Sequence, residues 1–385
     1  MPAAPCLLWP CLHCYNGCVP VYAIILAAGE GSRMRSVRPK PLHLICGRPM
    51  VMHVIHSLEL VTPDRSVVVV GHAAERVTKR VQDDAPVWAN VSFAEQLVQR
   101  GTGDAASVGL QALDVSTLAN ASDDIDDTST VLVLTGDTPL LRKETIDELV
   151  THHESNGLAA TVLVASLPDA TGYGRIVRTK DGRVERIVEE RDATADEKRI
   201  NEFNTGIYAF RRDLLGPALR RVTPNNAQKE YYLTDVISVL SGMGHRVGAV
   251  VADAAETQGV NDRWQLALAE RELRARTNRR WLLNGVTMLD PRQTFIDVDV
   301  TFGRDVTLFP GTIIQGRTVI GSGCEIGPQT RLVDCVVGDG AIVENSVARD
   351  SEIGIGARVG PYANLVPGTR VADGQQAGAF YDSSE

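Results

Sequence analysis

The sequence predicts an α/β fold, a doubly wound domain followed by a short left-handed parallel β-helix. Its first part alternates short apolar runs with amphipathic segments, as strands and helices do in parallel sheets. A stretch rich in Arg, Leu, Ala and Glu comes next, and aliphatic residues then recur at every sixth position. At 385 residues the chain is long enough to bury more than one core.

The strands and helices of the first part follow one another in a regular order. Apolar runs begin at Val21 (VYAIIL), Ser66 (SVVVVG), Val131 (VLVLTGD) and Ala159 (AATVLVAS), and helical stretches lie between them at residues 50–60 and 73–81. Strands separated by helices pair in parallel through right-handed crossovers, with helices on both faces. Residues 114–130 are acidic with little periodicity, which is typical of a loop or a ragged helix.

The second part has a period of six. Aliphatic residues stand six apart in two runs, first Ile320, Ile326 and Leu332, and later Val347, Ile353, Val359, Leu365 and Val371. A hexapeptide period is typical of a left-handed β-helix, in which each triangular coil buries its aliphatic row only when neighbouring coils stack on it. An antiparallel sheet would show a period of two instead.

Four segments follow from these patterns. We expect a disordered extension at 1–20, the α/β domain at 21–262, a connecting helix at 263–284 and the β-helix at 285–385. The extension holds Cys11 and Cys14, half of a zinc-site spacing with no second half, and it lacks the basic start of a secretory signal. The remaining cysteines are too scattered to indicate a disulfide framework or a nucleophile.

Composition excludes several classes of protein. A net charge of −9 and a pI near 5.5 argue against a nucleic-acid-binding surface. No apolar run approaches the roughly 18 residues that a membrane span needs. We therefore expect a cytoplasmic protein that binds neither nucleic acid nor membrane.

Candidate site residues follow the ends of the predicted strands. The first strand runs into Leu26-Ala27-Ala28-Gly29, where glycine lets backbone N–H groups approach a phosphate, and Arg33 and Lys40 follow. Asp137 ends a later strand and offers a hard oxygen ligand for Mg²⁺. Taken alone, the glycine turn is equally typical of a structural loop, and a strand-end Asp more often caps a turn.

Together these motifs resemble a known family. LAAGEGSRM with PKPLH is similar to the signature of sugar nucleotidyltransferases, and specifically of the bacterial bifunctional N-acetylglucosamine-1-phosphate uridylyltransferase family. The resemblance implies a Rossmann-like nucleotidyltransferase domain whose first motif wraps the nucleotide while Arg33 and Lys40 contact phosphates. It continues in the family's order through the catalytic half of the chain.

The resemblance also implies roles for residues further along. Gln96, Gly101 and Thr102 would read the uracil; Gly174, Glu189 and Asn204 would hold the sugar; Asp137 and Asn261 would bind Mg²⁺. Residues 228–235 match a family stretch near the sugar. Each segment standing alone would also fit a plain feature, such as a polar loop, a hairpin turn or a solvated strand residue.

The expected reaction joins UTP and N-acetylglucosamine 1-phosphate to give UDP-N-acetylglucosamine, a cell-wall precursor, and pyrophosphate. Two alternatives stay open. Thr135 stands where many relatives have a tyrosine by the sugar, so another sugar 1-phosphate is possible. The second alternative is a non-catalytic scaffold, although a scaffold has no need for both phosphate cations and both metal ligands.

The family's second activity, acetyl transfer, is expected to be absent. Val366 occupies a position where the family has an arginine that grips the sugar phosphate, and the chain ends before the family's other acetyltransferase residues. The resemblance implies that the β-helix serves as the stem of a homotrimer.

Overall fold

The computed structural model describes residues 19–118 and 128–383, so four of the seven cysteines lie outside the described residues. The chain divides into two compact units. The first comprises the residues up to His43 together with Met50–Asp262, and the second comprises Leu44–Pro49 together with the chain from Arg263 onwards. Among the described residues, no helix combines the length and the apolar character that crossing a membrane requires.

The first unit is built around a twisted sheet covered by helices. In chain order the strands up to residue 262 are β1 (Val21–Leu26), β2 (Leu44–Ile45), β3 (Arg48–Pro49), β4 (Arg65–Val70), β5 (Val91–Glu95), β6 (Thr130–Thr135), β7 (Ala160–Ser166), β8 (Arg175–Arg178), β9 (Val184–Val188), β10 (Glu202–Arg211) and β11 (Val247–Val251). The helices of the chain are α1 (Met50–His56), α2 (Ala74–Asp84), α3 (Thr102–Leu118), α4 (Lys143–Ser155), α5 (Arg212–Leu219), α6 (Asp235–Gly242), α7 (Ala254–Thr257) and α8 (Arg263–Leu283).

The strand order of this sheet is β11-β7-β10-β6-β1-β4-β5, and the β8–β9 hairpin attaches to β10. Strand β1 is central and pairs in parallel with β4 and β6. Strand β10, which none of the predicted apolar runs covers, is antiparallel to both β6 and β7, whereas the predicted strands β1, β4, β6 and β7 run in the same direction. The chain returns from β7 through a hairpin instead of a crossover helix, and only a crossover brings the next strand back in the same direction.

Both faces of the sheet are buried. Alternate residues of β1 point to opposite faces, so Ile24 belongs to the core layer that includes α3, α5 and α6, while Ala23 and Ile25 belong to the layer that includes α1, α2 and α4. Fully burying an aliphatic side chain contributes roughly 1.5–3 kcal/mol, so these two layers hold the sheet in place. The predicted doubly wound α/β fold is confirmed.

The second unit is a left-handed parallel β-helix, as the hexapeptide period predicts. Its strands are β12 (Thr287–Met288), β13 (Thr294–Ile296), β14 (Thr301–Phe302), β15 (Thr307–Leu308), β16 (Thr312–Gln315), β17 (Val319–Ile320), β18 (Glu325–Ile326), β19 (Arg331–Val333), β20 (Val336–Val337), β21 (Ile342–Val343), β22 (Val347–Arg349), β23 (Glu352–Ile353), β24 (Arg358–Val359), β25 (Asn364–Leu365), β26 (Arg370–Val371) and β27 (Gln376–Ala377). Every third strand pairs in parallel, which makes three sheets, and aliphatic side chains fill the centre.

One member of the predicted inward row is wrong. Val347 is only partly buried, and Ala348 is the side chain that points into the core beside Leu332 and Leu365. Ile314 pairs with Leu332, eighteen residues later, whereas Leu332 pairs with Ala348, sixteen residues later. Because this coil is shorter than eighteen residues, the inward position shifts along the chain. A strict count of six therefore selects Val347 instead of its neighbour Ala348.

The β2–β3 hairpin belongs to the second unit although it lies early in the sequence. The backbone N–H of Cys46 donates to Glu270 Oε2 at 2.6 Å, and Gly47, with φ +82°, lies against Asp297 where a Cβ would collide. Burial, and secondarily the Glu270 carboxylate, raises the pKa of the Cys46 thiol. A thiol in this setting stays protonated and is a poor nucleophile, in line with the sequence analysis.

Candidate active site

A cavity of about 320 Å³ opens at the carboxyl end of β1. The turn Leu26-Ala27-Ala28-Gly29 forms one wall, because β1 ends there between the ends of β4 and β6. Of the other predicted site residues, Lys40, Gln96, Gly101, Thr102 and Asp137 also line it. In an open α/β sheet this edge is the usual place for a ligand.

The loop that follows this turn places Lys40 through a glycine. Gly31 has φ +67°, a conformation that side chains disfavour, and a Cβ there would lie 2.5 Å from Lys40 Cβ. Lys40 begins a short 3-10 helix, Lys40–Leu42, preceded by Pro39. Glycine at 31 therefore lets the lysine cross the loop at close range.

Four predicted residues converge beside this cavity. Lys40 Nζ lies 2.5 Å from Asp137 Oδ2 and 2.9 Å from Asn261 Oδ1. Arg33 Nη2 also donates to Asn261 Oδ1 at 2.9 Å. The carboxylate and the amide oxygen thus point at one cation position, which the Lys40 ammonium takes.

This donor set fits a divalent cation of the Mg²⁺ type. Asp137 and Asn261 supply two hard oxygens, and Mg²⁺ is commonly held by one or two protein oxygens plus water and substrate phosphates. Both oxygens already contact a positive group, which shows that their geometry suits a cation. Among the residues that the structure describes, no cluster of three or more His, Cys, Asp or Glu side chains offers a closed metal cage.

The segment around Gln96 is fixed by two hydrogen bonds and a second loop. Gln96 is buried, and its Nε2 donates to Gly101 O at 3.2 Å and to Asp104 Oδ2 at 2.7 Å. Gly101 has φ +111°, and a Cβ there would lie 2.6 Å from Tyr231 O. Thr102 Oγ1 accepts from Leu233 N at 3.1 Å. The stretch from Gln96 to Thr102 is therefore held rigidly.

The three predicted sugar residues are neighbours. Asn204 N donates to Gly174 O at 2.8 Å, and a Cβ at Gly174 would stand 3.4 Å from Glu189 Oε2. Asn204 Nδ2 donates to Tyr208 Oη at 2.7 Å, and Thr234 Oγ1 donates to Glu189 Oε1 at 3.2 Å. These contacts bring together an amide, a carboxylate and the buried backbone of Gly174.

Burial raises the pKa of Glu189, and the Asp235 and Asp192 carboxylates add to the rise, while the Thr234 hydroxyl opposes it. Burial also raises the pKa of Tyr173, with a contribution from Asp137.

The sugar group adjoins the cavity without lining it. Thr135 lines the cavity, and a Cβ at Gly206 would lie 3.1 Å from Thr135 Cγ2, two residues from Asn204. Among the described residues that line the cavity, Arg33, Asn261, Gly174, Glu189 and Asn204 are not found. The structure thus brings the predicted residues into two adjacent groups.

Sequence reasoning missed several residues of the cavity wall. Gln99, whose Nε2 donates to Ala28 O at 2.9 Å, and Gly136, whose N donates to Leu26 O at 2.8 Å, both line it. Glu230 lines it as well and falls inside the stretch 228–235 that the resemblance marked. Gln99 lies in no motif that the sequence analysis uses. Its place in the wall is visible only from its hydrogen bond to Ala28 in the structure.

The turn Leu26–Gly29, the cations Lys40 and Arg33 and the oxygens of Asp137 and Asn261 meet at one edge of the sheet, an arrangement that suits a polyphosphate ligand. The profile of the MobA-like NTP transferase domain matches residues 23–224. The chain is 46% identical over 366 residues to the bifunctional protein GlmU of Streptomyces avermitilis, covering 94% of this chain and 73% of that protein.

Other relatives give the same result. Identity is 44% over 362 residues to the bifunctional protein GlmU of Halalkalibacterium halodurans, covering 94% of this chain and 76% of the relative. Identity to the bifunctional protein GlmU of Thermobifida fusca is 47% over 336 residues, covering 87% of this chain and 67% of the relative. This chain belongs to the GlmU family.

Proposed function

We propose that this chain is a UTP-dependent uridylyltransferase that converts UTP and N-acetylglucosamine 1-phosphate into UDP-N-acetylglucosamine and pyrophosphate. The observation that supports it best is the convergence of Lys40, Asp137 and Asn261 beside the Leu26–Gly29 turn. Cations and cation ligands meet there at the mouth of a cavity, as a polyphosphate substrate requires. Membership of the GlmU family supports the same reaction.

The reaction needs a positioned nucleophile more than a base. A phosphate oxygen of the sugar phosphate attacks the α-phosphorus of UTP, and a new P–O bond forms. The bond from the α-phosphorus to the bridging oxygen breaks, and its electron pair leaves with pyrophosphate. Because the nucleophile is already anionic, catalysis rests on alignment and on neutralising charge.

Two cations of the chain do this neutralising. Lys40 and Arg33 stabilise negative charge on the α-phosphate and on the departing pyrophosphate, while the backbone at Leu26–Gly29 closes on the nucleotide. Both cations hydrogen-bond to Asn261 Oδ1, so they are held beside each other before substrate arrives.

Asp137 and Asn261 would hold Mg²⁺. When bound, Mg²⁺ neutralises charge on the phosphate oxygens that it contacts. The two side chains are fixed for this purpose: Val260 N donates to Asp137 O at 2.8 Å, which ties the two loops together.

Uracil recognition falls to Gln96, Gly101 and Thr102. The Nε2 of Gln96 is engaged by Gly101 O and Asp104, which leaves Oε1 to accept from the uracil N3–H. Exchange of uracil for cytosine would replace that donor by an acceptor. The site should therefore disfavour CTP.

Sugar recognition falls to Gly174, Glu189 and Asn204, which offer acceptors and donors for hydroxyl and acetamido groups. Thr135 beside Gly206 bounds the space on the other side. A different sugar 1-phosphate is the second candidate, because threonine leaves more room here than the tyrosine expected from the resemblance.

The test is pyrophosphate release from UTP and N-acetylglucosamine 1-phosphate with Mg²⁺, with glucose 1-phosphate assayed in parallel. We expect release with the N-acetylated sugar, a loss of about 10²-fold or more in Asp137→Ala, and wild-type rates in the exposed control Asp83→Ala. Preference for glucose 1-phosphate would replace the sugar assignment. No release with any sugar phosphate would favour the scaffold.

The proposal extends to organisation. Residues 21–262 would perform nucleotidyl transfer, and α8 within 263–284 would be the chain connection to the β-helix. The β-helix within 285–385 would assemble a homotrimer. Sedimentation velocity tests the last point, and a monomer at micromolar concentration would contradict it. Absence of acetyl transfer stays a prediction that rests on Val366, whose side chain carries no charge for a sugar phosphate.

A further inference from the structure

A second cavity, of about 640 Å³, lies in the β-helical unit between α8 and the 3-10 turn Pro291–Gln293. We call it the arginine cleft, and its lining includes Arg271, Arg274, Ala275, Asn278, Arg279 and Arg292. The members from α8 are spaced three, four, seven and eight residues from Arg271, so they lie along one face of the helix. Ala275 is small and leaves the middle of this face open.

The cleft is strongly cationic. It is lined by four arginines and a single acid, Glu272, which Arg276 neutralises at 2.8 Å. In the part of the chain that the structure describes, none of the four arginines forms an ion pair. Interaction with the negative end of the helix dipole explains a cation such as Arg279 in the last turns, but Arg292 is not on the helix.

The cleft is also partly preorganised. The guanidinium of Arg274 stacks over the Phe295 ring, with its carbon 4.3 Å from the ring centroid. Stacking orders the long side chain and leaves its N–H edge free to bind. Ordering the guanidinium in advance lowers the entropy cost of gripping an anion.

The wall contains an unpaired acceptor. Asn278 is 1% exposed, and its Nδ2 donates to Pro291 O at 2.8 Å and to Thr294 O at 2.9 Å. Its Oδ1 is buried without a hydrogen-bond partner. This atom is buried from solvent and does not face a ligand, so the arginines carry the recognition.

We propose that the arginine cleft is a second binding site, for an organic polyphosphate such as a nucleoside diphosphate. The arginines would bind the phosphates. The volume lies within the roughly 300–1,000 Å³ typical of small-molecule sites. This site is separate from the nucleotidyltransfer cavity and does not depend on that function.

The test is hydrogen–deuterium exchange of the full chain with UDP as the probe, in the absence of Mg²⁺. We expect UDP to slow exchange in residues 271–292, and uridine, which lacks phosphate, to leave it unchanged. In the double variant R274Q/R279Q, the UDP concentration that gives half protection there should rise roughly tenfold or more. The matched control is R304Q, an exposed arginine of the β-helix outside the cleft.

Exchange elsewhere in the double variant shows directly whether it is folded. Unchanged exchange at 271–292 on adding UDP would overturn the proposal. So would equal protection by uridine, or equal weakening in R304Q, which would indicate non-specific attraction. The readout needs no turnover, so its failure is distinguishable from failure of the proposed uridylyltransferase activity.

Discussion

The two units of this protein encode their properties in different ways. In the β-helix, Leu308, Ile326 and Val343 stack through repeated local spacing, and each plays the same role as the last. In the α/β unit, Lys40 contacts residues 97 and 221 positions away. Periodic residues build a core, and aperiodic residues at strand ends build a site. Substitutions in the β-helix core should reduce stability without lowering the reaction rate. Substitutions at the site in the α/β unit should lower the rate with little effect on stability.

Lys40→Ala should have the largest effect. Removing the ammonium should lower kcat by about 10²-fold or more, because Arg33 alone would then neutralise the phosphate charge. The melting temperature should change little, since the side chain is not in the core. Pyrophosphate release and thermal unfolding measure the two quantities, and Lys79→Ala on α2, an exposed lysine, is the control. A variant with a lower melting temperature and an unchanged kcat would contradict this assignment of Lys40 to the site.

Leu332→Ala should have the next largest effect, in the other unit. Leu332 is fully buried, so truncation should lower the free energy of unfolding by about 2–5 kcal/mol. Val347→Ala, at a partly buried position, should cost less than about 1 kcal/mol. Denaturant unfolding measures both. Equal losses would show that Val347 points inward after all, and a rate loss in either would weaken the division between units.

Two glycines with the same backbone conformation sharpen the comparison further. Gly31 and Gly340 both have φ +67°, but a Cβ at Gly31 would crowd Lys40, whereas nothing lies within 4 Å of one at Gly340. Each change to alanine should cost roughly 1–2 kcal/mol of backbone strain. Only Gly31→Ala should also lower kcat, because it displaces Lys40. Similar rates for the two variants would remove Gly31 from the site.

Glu189→Gln should give the smallest effect, visible in the pH dependence of stability. Burial raises the folded-state pKa of Glu189 above its ordinary value of 4.5. The folded state therefore binds the proton more tightly, so this residue makes stability fall as pH rises from 4.5 through the raised pKa. Glutamine does not titrate and should remove that slope. Melting temperatures of both proteins between pH 4.5 and 8 test this, and parallel curves would contradict it.

Much of the site could be predicted because its motifs follow strand ends. Leu26–Gly29, Gln96, Gly101 and Thr102 do line one cavity, since parallel strands bring their carboxyl ends to the same edge. Gln99 could not be predicted, because its place in the wall depends on a single long-range hydrogen bond to Ala28. The hydrogen bonds of Arg33 and Lys40 to Asn261 could not be predicted, because they join residues 228 and 221 positions apart.

The sequence by itself determined the two fold classes, because the hexapeptide repeat and the alternation of strands with helices are both local properties of the chain. Tertiary structure alone decided that β10 runs antiparallel, that Ala348 replaces Val347 in the core and that the Leu44–Pro49 hairpin joins the second unit. Each of these depends on which distant segment a residue packs against. Pairing direction, coil length and hairpin placement are set by contacts between segments, and local spacing does not specify them.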